Sequence, residues 1–232
     1  MKRLIGIFAL IISQIAFAQR SIDPAGDFTK IDVFGPFEVE LIKAEKNEVV
    51  MDYRGFDRDN IISEVSRGEL RLKLRNKHYM NEWTSEYPRS KYVRVKVYYT
   101  DLQEIKAQAG AEVFTSGTLK SKNLVLHSGM GAQIRMDILS KNLAAKVAMG
   151  GEMDLDGRTE TLDVKASMGG VLKASALESK MVYVSASMGA EVDVRATQEI
   201  EISAGFGATV NYSGEPSVRH TNTNFGAEIR GH

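Results

Sequence analysis

Apolar and polar residues alternate along most of this chain, and in its second half the alternation is centred on a recurring glycine. Copies of a short phrase, of the form Met-Gly-Ala-Glu or close to it, lie between residues 108 and 229. Their glycines follow one another at intervals of 18 to 21 residues: Gly110, Gly131, Gly150, Gly169, Gly189, Gly207 and Gly226. A period of two residues is typical of strands. The pattern therefore predicts two short strands flanking a glycine corner in every coil of about 19 residues.

Fixed positions around the glycine are apolar in successive copies. Seven residues before it stand Leu124, Leu143, Leu162, Val182 and Ile200, and three residues after it stand Val113, Ile134, Met153, Leu172, Val192, Val210 and Ile229. One coil cannot bury these side chains alone, whereas coils stacked in register form a continuous core. We therefore predict an all-β fold, a parallel β-solenoid.

The outward positions indicate the same stacking. Four residues after the glycine the sign of the charge alternates from copy to copy, through Arg135, Asp154, Lys173 and Asp193. Two residues after it, glutamate occupies no more than every second copy: Glu112, Gln133, Glu152, Val171, Glu191, Thr209 and Glu228. Like charges on neighbouring strands repel and unlike charges attract. Both columns are expected if successive coils lie directly over one another.

The corner itself carries two further predictions. The glycine marks a tight turn that needs a positive φ or a close approach between coils. The residue before it is large and apolar, and strict alternation places it on the core side, where methionine fills irregular space well. We therefore predict an interior packing ladder of Met130, Met149, Met168, Met188, Phe206 and Phe225.

The chain divides into three parts. Residues 1–18 have Lys2 and Arg3, an apolar run and the ending Ala-Phe-Ala, which together predict a secretory signal peptide cleaved before Gln19. Residues 19–106 are strand-rich but irregular, and we predict that they form the first coils and a cap of antiparallel hairpins, since stacks need protected ends. Residues 107–232 are the regular solenoid.

A segment at 76–92 interrupts the N-terminal strands and is rich in aromatic residues and arginine. It holds Tyr79, Trp83, Tyr87 and Arg89, the kinds of side chain that often carry recognition. Two alternatives stay open, a lid folded over the core and simple disorder.

The amino-acid composition limits the classes of partner and cofactor to be expected. The sequence has 30 basic and 30 acidic residues, so no basic excess attracts nucleic acid or an anionic membrane. Cysteine is absent, which excludes disulfides and thiolate metal sites. No nucleotide-binding or serine-hydrolase motif occurs, and we expect no cofactor.

Two chemical alternatives rest on carboxylates. Polysaccharide-active enzymes on β-helices cluster acids in a groove, for which Asp154, Asp156, Asp163 and Asp193 are the candidates. Asp154-Leu155-Asp156-Gly157 also resembles part of a calcium loop, although a polar turn explains it equally. The histidines, His78, His127, His220 and His232, are scattered and form no zinc pattern.

The phrases GPFEVELI, GELRLKL, YVRVKVYYTDLQEIKAQAGAEV and the repeating Ser-Met-Gly-Ala/Gly resemble the head GIN domain family, labelled autotransporter adhesin and abundant among Bacteroidota. The resemblance covers nearly all of the chain after residue 18. It implies a right-handed parallel β-helix and a surface or periplasmic location.

These features together favour an exported, non-enzymatic binding or scaffold module of the envelope or cell surface. Its expected partner is a glycan or a surface protein, and self-association through the solenoid ends is a further expectation. The alternative is a polysaccharide-active enzyme.

Overall fold

The computed structural model describes residues 19–24, 26–75 and 92–232. Its strands are β1 Gln19–Pro24, β2 Lys30–Phe34, β3 Phe37–Lys43, β4 Glu48–Arg54, β5 Ile61–Ser66, β6 Glu69–Leu74, β7 Tyr92–Tyr99, β8 Glu104–Gln108, β9 Glu112–Thr115, β10 Leu119–Gly129, β11 Gln133–Ala148, β12 Glu152–Ser167, β13 Val171–Ala186, β14 Glu191–Ala204, β15 Thr209–Ser213, β16 Val218–Thr223 and β17 Glu228–Gly231. A single turn of 3-10 helix at Arg58–Asn60 is the one helical element within the described ranges.

Strands β10 to β14 form the regular part of the stack, and each pairs in parallel with the next. The pairing is in register, because Leu124 lies beside Leu143, Leu143 beside Leu162, and the ladder continues through Val182 to Ile200. Each long strand bends at its middle, so one coil contributes to two faces. The predicted β-solenoid with coils of about 19 residues is confirmed.

The N-terminal part mixes two kinds of pairing. β2 and β3 lie parallel to β8 and β9 and extend the same stack. Beyond them β4 runs antiparallel to β1 and β7, and β5 runs antiparallel to β6. β6 and β7 themselves continue the parallel ladders on β2 and β3, so β5, β4 and β1 are the strands that add to the end of the stack in antiparallel pairing.

The core is a set of apolar columns that run along the axis. Leu162, Val164 and Leu172 are completely buried, as are most of their equivalents in neighbouring coils. Burying one such side chain stabilises the fold by about 1.5–3 kcal/mol. At the middle of the long strands a column of buried hydroxyl groups joins the core, and there Ser140 Oγ donates a hydrogen bond to Thr159 Oγ1 at 2.9 Å. The solenoid thus has a filled interior.

The corner column contradicts its prediction, because the large apolar side chains point outward. Their exposed fractions rise from 38% at Met130 to 72% at Phe225. The methionine or phenylalanine and the glycine after it both have positive φ, 48–53° and 68–74° respectively. Alternation fails there because it holds only for extended backbone. A Cβ added at Gly131, Gly150 or Gly169 would meet nothing within 4 Å, so positive φ, and not close approach, explains these glycines.

The outward columns lie in the expected register. Arg135 partners Asp154, which partners Lys173, which partners Asp193. Between these two columns Arg135 pairs diagonally with Glu112, and Lys173 pairs diagonally with Glu152 at 2.6 Å. Long side chains reach diagonal positions on a sheet, so the two columns neutralise each other.

Candidate functional site

One edge of the solenoid presents a row of large apolar side chains to solvent. We call Met130, Met149, Met168, Met188, Phe206 and Phe225 the corner ladder. Its last two rings stack with centroids 4.8 Å apart and planes 12° apart, which is the spacing of successive coils. Isolated exposed apolar residues are ordinary, but a contiguous row of them marks an interaction surface.

The backbone of the corner does not explain why these residues are large. The turn is held by bonds between coils, for example from Gly150 N–H to the carbonyl of Met168 at 3.2 Å. That geometry requires a left-handed residue, which glycine or asparagine adopts at lower cost than methionine or phenylalanine. The side chains then gain only partial burial against one another. Their presence in successive coils therefore favours a role outside the fold.

A shallow depression runs beside the corner ladder on the strands that precede the corner. Its floor is made of small side chains, Gly129, Ala148 and Ser167, and Met149 lies on one side of it. His127, Lys146 and Lys165 lie on the other side. We call this depression the lateral trough. It follows the solenoid axis, since its residues are neighbours in the ladder.

Basic side chains occupy one outward column over four consecutive coils. Lys106, His127, Lys146 and Lys165 are direct ladder partners, and we call them the basic stripe. All four stand four residues before a corner glycine. Alignment of the repeats could have revealed this column, but the outward columns described above, two and four residues after the glycine, do not include it.

The first half of the basic stripe is neutralised by Glu104. Its carboxylate contacts Lys106 at 2.9 Å, Lys30 at 3.2 Å and His127 Nε2 at 3.7 Å. Burial alone would raise the pKa of Glu104, but hydrogen bonds from Lys106 and Lys30 outweigh it and hold the pKa below its ordinary value. Within the described parts of the chain, Lys146 and Lys165 have no ion-pair partner. The open positive charge of the trough therefore lies at these two lysines.

Acid is expected to destabilise the fold through His127. Burial, followed by the charge of Lys146, holds the pKa of His127 below its ordinary value of 6.5, and Lys106 adds to this while Glu104 opposes it. The unfolded chain therefore binds this proton first. The stability that the uncharged His127 gives the fold above pH 6.5 is lost as the pH falls from that value through the lower pKa of His127 in the folded state.

The variant His127→Gln keeps a polar side chain and removes this titration. Urea denaturation near neutral pH and again in mild acid should show a smaller loss of stability in the variant than in the parent. Equal losses in the two proteins would contradict the assignment.

The candidate catalytic acids do not converge on one groove. Asp154 and Asp193 lie two coils apart in one column with Lys173 between them, and Asp156 stacks beside Asp137. Asp163 lies on the other face, before the corner, between Ala144 and Tyr183. Over the described ranges no three histidine, aspartate or glutamate side chains come together as metal ligands.

The remaining sequence candidates divide by position. His220 lies on β16 beside Glu201, and His232 is the last residue. Tyr79, Trp83, Tyr87, Arg89 and His78 lie outside the described residues, as does the predicted signal peptide. Their roles stay predictions.

A family model described as "Putative auto-transporter adhesin, head GIN domain" matches residues 27–216. The chain belongs to the head GIN domain family. The match spans both the mixed N-terminal strands and the regular coils, so the resemblance found in the sequence is confirmed.

Solved structures share the fold of this head GIN domain protein. A putative adhesin from Bacteroides fragilis NCTC 9343 superposes with a TM-score of 0.82 at 15% identity, over 93% of this chain and 97% of its own. A putative adhesin from Parabacteroides distasonis ATCC 8503 gives 0.68 at 13% identity, over 94% and 98%. A putative lipid binding protein from the same strain gives 0.64 at 14% identity, over 91% and 96%. At such identities the likeness establishes the fold alone.

No curated protein matches the sequence. In the part of the chain that the structure describes, no helix has the length and apolarity of a membrane span.

Proposed function

We propose that this head GIN domain protein is an exported, non-enzymatic, adhesin-like module that binds an extended ligand in the lateral trough. The ligand is a glycan or the glycan-bearing part of an envelope or surface protein. The module acts in the periplasm, on the outer surface or after secretion.

The observation that carries the proposal is the corner ladder. It extends over six coils as an apolar edge, and the polar trough lies beside it around Met149. The flat C–H faces of sugars and the side chains of extended peptides fit such an edge. The family description and the neighbours named as adhesins agree with a binding role, and none of those names is that of an enzyme.

The ladder side chains are expected to matter for binding and little for folding. We choose the triple variant Met149→Asn, Met168→Asn and Met188→Asn, because asparagine tolerates positive φ. Each change should alter the free energy of unfolding by about 1 kcal/mol or less. Removing three central apolar contacts should weaken binding by about tenfold or more.

The measurement is binding of the purified protein to an array of neutral and acidic glycans and to immobilised mucin. The matched control is Leu139→Asn, an exposed apolar residue on another part of the coil, which should bind as the parent does. Equal binding by the triple variant and the parent, or no binding of any of these glycans, would overturn the proposal.

Lipid is a second candidate, favoured by the apolar edge and by the one neighbour named as lipid binding. Because the core columns are filled, a lipid would have to lie along the corner ladder. Vesicles of neutral phospholipid on a flotation gradient test this: the parent should float and the triple variant should not. Sedimentation of both would exclude lipid.

A further inference from the structure

The basic stripe departs from the charge pattern of the rest of the solenoid. On the other outward columns of the described strands, like charges are adjacent in pairs at most, as at Glu38 and Glu112, and oppositely charged neighbours flank several of them. The stripe instead has basic residues on four successive coils, about 4.8 Å apart. Because the pKa of His127 is lowered, its adjacent charges at neutral pH are those of Lys146 and Lys165, and neither lysine has an acidic ladder neighbour. Like charges in register destabilise paired strands. The adjacent charges of Lys146 and Lys165 therefore cost the fold stability, and a bound anion would offset that cost.

The unneutralised part of the column faces the trough. Glu104 forms ion pairs with Lys106 and Lys30. Lys146 and Lys165, in contrast, lie exposed beside the small floor residues Ala148 and Ser167. Asp163, the nearest acid of the neighbouring column, stands two residues before Lys165 on the same strand. It forms no ion pair with Lys146 or Lys165 among the described residues. A ligand could therefore approach the backbone closely there and meet two cations in line.

The shape of the trough separates the classes of polyanion. It is one side chain wide and straight, with cations on one wall and methionine on the other, so a thin chain with acidic groups along one edge and C–H groups along the other fits it. Single-stranded nucleic acid needs aromatic stacking platforms, and the stripe has none. An anionic bilayer needs a broad basic face, whereas Glu104, Asp163 and Glu201 lie in the adjacent outward column.

We infer that the lateral trough binds a linear acidic polysaccharide that lies along the solenoid axis with its carboxylate or sulfate groups on Lys146 and Lys165. The inference rests on the proposed adhesin-like function and specifies its ligand class. The corner ladder contacts the apolar edge of the sugar chain.

The test compares two charge-matched double variants in calorimetric titrations at low salt. Lys146→Gln with Lys165→Gln removes the open cations of the trough. Lys122→Gln with Lys141→Gln removes two exposed lysines of adjacent coils, which follow the ladder partners Ser121 and Ser140 and lie away from the trough. The probes are oligogalacturonate as the carboxylated chain, dextran sulfate as the sulfated chain and neutral dextran.

The trough variant should bind the acidic probes about tenfold or more weakly than the parent, and its affinity should depend less steeply on salt. The control variant should stay within about twofold of the parent. A preference for oligogalacturonate or for dextran sulfate identifies the anionic group. Neutral dextran should not compete.

The inference is overturned if both double variants lose equal affinity, if no acidic probe binds at low salt, or if neutral dextran binds as tightly. Tighter binding of single-stranded DNA or of anionic vesicles, lost in the trough variant, would also overturn it. Neutral glycan binding that depends on the corner ladder would leave the proposed function standing while refuting this ligand class.

Discussion

Replacing Gly157 by alanine is expected to lower the free energy of unfolding by about 3 kcal/mol or more. Gly157 has a φ of 106°, outside the region that residues with a side chain adopt readily. A Cβ there would lie 2.2 Å from the carbonyl oxygen of Ile138 in the preceding coil. The variant must both strain its own backbone and separate two coils, so two penalties add.

Gly150→Ala is the matched control for this prediction. It also has a positive φ, 69°, but an added Cβ would meet no atom within 4 Å. It should cost only the backbone term, about 1 kcal/mol. Urea denaturation of the two variants measures the difference, and equal losses would show that the close approach at Gly157 has no energetic weight.

Gly170→Ala is expected to cost about 2 kcal/mol or more, and part of that loss should be recovered by a second change at Val147. A Cβ at Gly170 would lie 2.7 Å from the carbonyl oxygen of Val147 in the preceding coil. Where the preceding coil has alanine at this position, as at Ala166 and Ala186, the corner also has alanine. Where that residue is Val147 or Ser128, the corner has glycine, at Gly170 and Gly151 respectively.

Denaturation of Gly170→Ala, Val147→Ala and the double variant forms a thermodynamic cycle. The atoms that a Cβ at Gly170 would meet are backbone atoms of Val147 and Ala148, so relief requires this backbone to move toward the core once the Val147 side chain is shortened. The double variant recreates the alanine pair of the other coils, and its loss should then be smaller than the summed single losses by about 1 kcal/mol. Val113→Ala combined with Gly170→Ala is the control, because Val113 lies three coils away in the ladder. Additive losses in both cycles would mean that the two positions do not interact across the coils.

The candidate site was only partly predictable. The corner column was visible in the repeat, but alternation placed Met149 and Phe206 inside the core, and the structure places them outside. Prediction failed at these positions because alternation describes extended strands, while two successive residues with positive φ reverse the direction of the side chain.

The repeat in the sequence by itself determined the coil length, the parallel register and the identity of the buried columns on the extended strands. It could do so because only one alignment of the coils superimposes Leu124, Leu143 and Leu162 while placing Arg135 beside Asp154. The tertiary structure alone decided which way the corner side chains point and which glycines contact the preceding coil. Both depend on backbone angles and on distances between coils. Residues 19 apart in the chain become neighbours only when the coils stack, so the trough between Met149 and Lys146 exists as a surface only in the folded protein.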